Sequence, residues 1–278
     1  MREGSYKLQS QPEDVVMGPF LKRILRLSKD EAHSRNSATE RAHPAGQQAG
    51  GFTLVELLVV ISVIAILAAL LLPALSKGKK KSLQADCVSN QRQIGVALAL
   101  YTSDNADVLP QLADWNGLGG QDGSYDVFVA ATNRGLYAYQ GNGQIFHCPA
   151  DNGDAFPAHP TPPGATCWSV FGTSYLVEWD FDAFGVKHPF GNINSPATTY
   201  DGQSMRGSDI AVAPGTKIIQ GDWIWHPNRG NTDPRSVWHN DIGQSYTVML
   251  WGDSHVAAFS IPLGTPSDMP VSITNQWW

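Results

Sequence analysis

The chain has 278 residues, 19 Lys and Arg against 25 Asp and Glu, and a formal net charge of −6. An acidic balance of this kind argues against nucleic acid as a partner. No nucleophile elbow, phosphate loop or paired-cysteine metal motif occurs, so the sequence gives no basis for the reaction classes built on them.

Residues 1 to 50 are polar, with charges of both signs and no sustained apolar period. A short apolar and basic patch from Val15 to Leu27 has the pattern of one amphipathic helix, and Ser34 to Gly50 reads as disordered. The first 51 residues hold 8 basic and 6 acidic side chains, so 11 and 19 remain beyond them, a formal charge of −8.

The character changes at Gly51-Phe52-Thr53-Leu54-Val55-Glu56, which opens an apolar run ending at Leu75. From Phe52 to Leu75 the only ionisable side chain is Glu56. As a helix the run is roughly 36 Å long, enough to cross a bilayer core of about 30 Å. It is too long for the apolar region of a secretory signal peptide, and no small-x-small cleavage site follows it. A carboxylate in the first turn of a membrane helix costs a few kcal/mol unless it is partnered. Cleavage after Gly51 would place a new ammonium on Phe52, so that Glu56 of one copy is set to pair with the ammonium of a neighbour and act as an assembly register.

These residues, with Pro73 late in the run, resemble the class III signal of type IV prepilins and type II secretion pseudopilins. The resemblance implies that residues 1–51 are a cytoplasmic leader removed by a prepilin peptidase, which also N-methylates Phe52. It implies a helix at 52–75 that serves as inner-membrane anchor and filament core beside other pilin or pseudopilin subunits, with the N-terminus cytoplasmic and the head outside. Lys77, Lys79, Lys80 and Lys81 follow the span, against the usual bias of basic residues to the cytoplasmic side. They read as a collar facing the lipid headgroups.

Residues 76–104 continue as an amphipathic helix. Leu83, Cys87, Ile94, Leu98 and Tyr101 recur at spacings of three, four and seven, one stripe that requires cover. Pro73 and Gly78 are the expected places for a bend or local melting. Asp104 and Asp107 close the helix, and as an acidic cluster they are a calcium candidate or a simple turn.

Residues 105–278 are rich in Gly, Pro, Trp and Tyr. Short apolar or alternating runs at Tyr125–Ala130, Ser174–Glu178, Lys217–Gln220, Tyr246–Trp251 and Val256–Ile261 predict strands, and Ala130–Tyr139 one short helix. The expected fold is α+β, a pilin-like long helix packed on an antiparallel sheet head. Cys87-Val88-Ser89-Asn90-Gln91 in the amphipathic helix, and Phe146-His147-Cys148-Pro149-Ala150-Asp151, Ser174-Tyr175 and Gly252-Asp253-Ser254-His255-Val256 in the head, are similar to pilin-like proteins of planctomycetes and verrucomicrobia, with Ser254 where Gly is usual.

Of the three cysteines, Cys148 and Cys167 enclose a loop of ordinary length and are the favoured pair, with Cys87 to Cys148 as the rival. His239, Asp253 and His255, with Asp222 and His226 near in sequence, offer a zinc or calcium site, or else a hairpin turn with His255 against an aromatic ring. No catalytic residue is assigned and no cofactor expected beyond the calcium candidate. Of the nine tryptophans most read as core, while Trp277 and Trp278 read as docking on a neighbour or on the head itself. The readings set beside a filament subunit are a membrane-anchored module binding glycans or calcium, and a metal-dependent hydrolase.

Overall fold

The computed structural model describes residues 53–278. The leader, the Val15 to Leu27 patch, Gly51 and Phe52 lie outside the described residues. The first element, α1, is one helix of 51 residues, Leu54–Asp104, about 76 Å long. It runs without interruption through Pro73 and Gly78, so the local melting expected there is not found. Both lie where the helix is exposed, and at Gly78 a side chain would meet nothing.

Only the second half of α1 is covered. Cys87, Gln91, Ile94, Gly95, Ala97 and Leu98 are buried, with Leu83 and Tyr101 packed against the core from its edge. This is the stripe that the spacing predicts, with Gln91 added at its centre. Burying an amide requires partners, and Gln91 has two: its Nε2 donates to the Val248 carbonyl at 3.1 Å, and its Oε1 accepts from Gln220 Nε2 at 2.9 Å.

The head is built on a four-stranded antiparallel sheet in the order β3 (Tyr175–Val177), β4 (Ile218–Asp222), β5 (Thr247–Trp251) and β6 (Val256–Phe259). A two-stranded ribbon pairs β1 (Gly123–Ser124) with β2 (Phe128–Val129), and two short helices are α2 (Cys167–Phe171) and α3 (Gly207–Ile210). The class is therefore α+β with an antiparallel sheet, as the sequence indicates. The β5–β6 hairpin closes at Gly252-Asp253-Ser254, where Ser254 has φ 66°. That left-handed backbone explains why glycine suits this position.

Two expectations are corrected. Ala130–Tyr139 is not a helix beyond a single 3-10 turn at Ala131–Asn133. Its backbone is used elsewhere: Gly135 and Leu136 N–H donate to the Gly117 and Leu118 carbonyls at 2.9 and 2.8 Å. The buried Arg134 guanidinium, pulled down to about 10 by burial, gathers the carbonyls of Asn116, Gly119 and Phe171. The run at Tyr125–Ala130 shortens to β2.

Trp277 and Trp278 settle on the head rather than projecting from it. Trp278 is buried, and its Nε1 donates to the Ala213 carbonyl at 3.0 Å, while Trp277 Nε1 donates to Phe184 at 2.9 Å. Beside them, the buried Lys217 donates to the carbonyls of Lys187 at 2.5 Å and Trp278 at 2.8 Å. Burial lowers this ammonium from 10.5 to about 7. Between those values the unfolded chain holds one more proton than the folded chain, so stability rises with pH. Urea unfolding from pH 7.5 to 10 is expected to show a slope about 1.4 kcal/mol per pH unit steeper than in a Lys217→Met variant.

Asp151 shows how the Phe146–Asp151 segment is locked. Its buried carboxylate accepts from Gly153, Cys167 and Trp168 N–H at 2.8, 3.0 and 2.8 Å and from the Ser174 hydroxyl at 2.7 Å. Two of these donors are the free N–H groups at the start of α2. Asp151→Ala leaves three buried donors and one half-buried donor without an acceptor and is expected to cost roughly 3 kcal/mol or more in chemical denaturation.

Candidate functional site

Two places on the chain concentrate chemistry that packing alone does not require. The first is the start of α1. Glu56 Oε2 accepts from Thr53 N–H and Thr53 Oγ1, both at 2.8 Å, and Glu56 N–H donates back to Thr53 Oγ1 at 3.2 Å. This is a capping box, a Thr and a Glu three residues apart satisfying each other's backbone donors. The Thr-x-x-Glu spacing is the sequence signal that could have revealed it. Beyond the cap, the large apolar side chains between Leu54 and Leu75 are 47 to 79% exposed. The segment is long and apolar enough to cross a membrane, and none of its most apolar window is buried. A surface of this kind is incompatible with water as its final surroundings.

The second place is the junction between α1 and the sheet. Cys87 and Cys148 are joined by a disulfide, with a Cα–Cα distance of 5.1 Å. The pairing of Cys148 with Cys167 is thereby corrected. Cys148 faces α1, whereas Cys167 opens α2 with its N–H fixed to Asp151, and its thiol is free and buried. Burial, reinforced by the neighbouring Asp151 and Asp154 carboxylates, pushes that thiol well above its ordinary range.

Against the disulfide lies His239, whose Nε2 is 3.5 Å from Cys148 Sγ and 3.3 Å from Asp222 Oδ2. Asp222 Oδ2 also accepts from Val248 N–H at 2.7 Å. All four residues are buried, between 0 and 5% exposed. His239 Nδ1 and Asp222 Oδ1 have no hydrogen-bond partner.

The metal trio expected from sequence is not brought together. Asp253 and His255 pair with each other, Oδ1 to Nδ1 at 2.5 Å, on the exposed β5–β6 turn, and His255 stacks on Trp251. His239 is instead part of the cysteine cluster, the one group of three or more metal-capable side chains among the described residues. His226 is bound to Glu178 at 2.9 Å within the core. Asp104 and Asp107 also diverge. Asp104 accepts from the Tyr139 hydroxyl at 3.1 Å, and Asp107 accepts from Ser208 N–H at 2.9 Å. Each of the two carboxylates thus has a protein partner of its own. Of the lysines after the span, Lys80 is engaged with Asp241 and Lys81 with Gln84.

Compared with known families, residues 47–72 match the prokaryotic N-terminal methylation motif. No curated protein and no solved structure matches the chain. The chain thus carries a type IV prepilin-like N-terminus that straddles the Gly51–Phe52 bond and leads into an apolar helix suited to membrane anchoring.

Proposed function

We propose that the protein is a prepilin-like structural subunit, cut after Gly51, N-methylated at Phe52, and assembled through α1 into a type IV pilus or type II secretion pseudopilus. The observation that carries this reading is the methylation motif at 47–72 running directly into a helix whose apolar side chains are uncovered from Leu54 to Leu75. A helix face as apolar as this has two suitable environments, lipid and the same helix of other subunits, and a pilin occupies both in turn. The reading places the leader on the cytoplasmic side with a prepilin peptidase as the processing partner, and the acidic head outside the inner membrane. It gives the head no catalytic task.

The test is the intact mass and N-terminal sequence of the protein extracted from membranes. A chain starting at N-methylated Phe52 supports the proposal. One retaining residues 1–51 overturns it.

A second reading rests on a cavity of about 260 Å³ in the head, lined in part by Trp115, Tyr125, Phe156, Phe181, Phe184 and Arg229. Flat aromatic walls with a few polar groups suit a sugar ring, which makes the head a membrane-anchored glycan-binding module. Glycan-array binding by the extracted protein, lost on Trp115→Ala, supports it, and an array without signal removes it.

A further inference from the structure

We infer that the turn at residues 241–244, with Tyr246 behind it and the lysines that follow the span, seats the head on the anionic headgroup surface of the membrane that α1 crosses. The inference rests on the reading of Leu54 to Leu75 as a membrane span and is independent of filament assembly.

Height along α1 carries it. Lys80 lies five positions beyond Leu75, where the apolar run ends, a rise of about 7.5 Å. The headgroup layer on either side of the hydrocarbon is about 5–8 Å deep, so Lys80 stands near its outer edge. Lys80 Nζ donates to the Asn240 carbonyl at 3.4 Å and is paired with the Asp241 carboxylate. Lys80, and after it Lys77, hold that carboxyl below its ordinary range. The head is thereby pinned to α1 at the level of the membrane surface. The next residue is Ile242, its Cα about 3.8 Å from that of Asp241.

The turn presents this isoleucine outward. Gln244 N–H donates to the Asp241 carbonyl at 3.1 Å, which places Ile242 and Gly243 at the tip, and Gly243 has φ 94°. A positive φ at the third position of a turn calls for glycine. The loop is braced: Gly243 N–H donates to the Asn231 carbonyl at 2.9 Å, and the Asn240 side-chain amide donates to the Tyr246 carbonyl. Turn tips favour Gly, Pro, Asn, Asp and Ser, yet here Ile242 is 62% and Tyr246 55% exposed. An aliphatic tip suits the acyl boundary, and a tyrosine tied to the same loop suits the headgroup level.

Charge selects the lipid. Of Lys77, Lys79, Lys80 and Lys81, only Lys80 has an ion-pair partner among the described residues. Basic side chains this close to a membrane surface are drawn to anionic lipid. The chain beyond residue 51 carries a formal charge of −8, so the same surface repels the rest of the head and favours the lysine side.

The experiment returns the membrane-extracted protein to phosphatidylcholine vesicles with and without phosphatidylglycerol, carrying a nitroxide on one introduced cysteine. Gln244→Cys reports on the loop with Ile242 and Tyr246 in place. Labelling without reductant spares the native cysteines, because Cys87 and Cys148 are bonded and Cys167 is buried. Collision with oxygen, which concentrates in lipid, against a water-soluble nickel chelate reads depth. In anionic vesicles the Gln244→Cys label is expected to prefer oxygen. It is expected to lose that preference when phosphatidylglycerol is omitted, when Ile242→Asp is added, or when Lys77→Glu and Lys79→Glu are added together. A label at Val212→Cys, beside α3 and roughly 36 Å further along α1 than Lys80, should read water. Ile64→Cys, within the span, separates this inference from its premise. A water-exposed label there overturns the membrane span itself. Ile64→Cys in hydrocarbon, with the Gln244→Cys label as open to nickel as Val212→Cys, overturns the seating of the head alone. So does an oxygen preference unaltered by omitting phosphatidylglycerol, or protection without oxygen preference that rises with the protein-to-lipid ratio, which would put a second copy on the loop.

Discussion

Glu56→Ala is expected to abolish filament assembly, with at least a hundredfold loss of sheared or sedimentable polymer, while the head keeps its fold. The head is spared because, among the described residues, the Glu56 side chain is hydrogen-bonded to Thr53 alone, and no residue of α1 before Cys87 is buried. The alanine variant cannot by itself say why assembly stops, since it removes a helix cap as well as a charge. Losing a cap costs about 1 kcal/mol. A register pair between the carboxylate and a neighbour's ammonium in hydrocarbon is worth several times that, because an unpaired charge there is so costly. Glu56→Gln separates the two, since glutamine also closes a capping box. If the charge sets register, Glu56→Gln fails as completely as Glu56→Ala, and Thr53→Ala, which loses the cap and keeps the charge, still assembles. Normal filaments from Glu56→Gln would refute the register role and leave the capping box as the whole explanation.

The parts of this molecule that were legible in sequence are those governed by local pattern. The stripe Leu83, Cys87, Ile94, Leu98 and Tyr101 is buried or half-buried where a 3.6-residue period places it. Strands β3, β4, β5 and β6 lie within or beside the alternating runs at Ser174, Lys217, Tyr246 and Val256. What failed depended on partners distant in the chain. Ala130–Tyr139 has helical composition, yet Gly117 and Leu118 compete for its N–H groups and win. The disulfide joins Cys87 to Cys148 and not Cys148 to Cys167: loop length ranks closure entropies and says nothing of which way a sulfur points. Cys167 was committed to Asp151 at the start of α2, an arrangement visible only once residues 151 and 167 meet. For the same reason His239 was grouped with Asp253 and His255 by proximity in sequence, although its neighbours are a helix residue 152 positions earlier and the end of β4.

The motifs quoted for the head make more sense in three dimensions than as a string. Cys87 is bonded to Cys148, Asn90 Nδ2 donates to the His147 carbonyl at 2.8 Å, Gln91 donates to Val248, and Ser174 N–H donates to the Phe146 carbonyl at 2.9 Å. Together these segments form one joint that fixes α1 to the sheet. In the proposed filament this joint would pass force on the head to the assembled helices, a role that requires it to be rigid.

Removing the covalent part of the joint is the second change with a large expected effect. Cys148→Ser should lower the unfolding free energy by about 4 kcal/mol in the chain-entropy model, since the bond spans a sequence separation of 61. That is a large share of the 5–15 kcal/mol available to a domain, and corresponds to a fall of about 10 °C in Tm. The loss should not be total. The Asn90 and Gln91 hydrogen bonds and the burial of Ile94 and Leu98 still hold α1 on the sheet. Reductant should destabilise the wild-type protein by the same amount and leave Cys148→Ser unaffected, because the two treatments remove one constraint. Cys167→Ser should shift Tm by no more than a few degrees, its thiol being a buried apolar filler. If instead Cys167→Ser matches Cys148→Ser and Cys87→Ser is neutral, the bond joins Cys148 to Cys167, and α1 is held on the head by packing and hydrogen bonds alone.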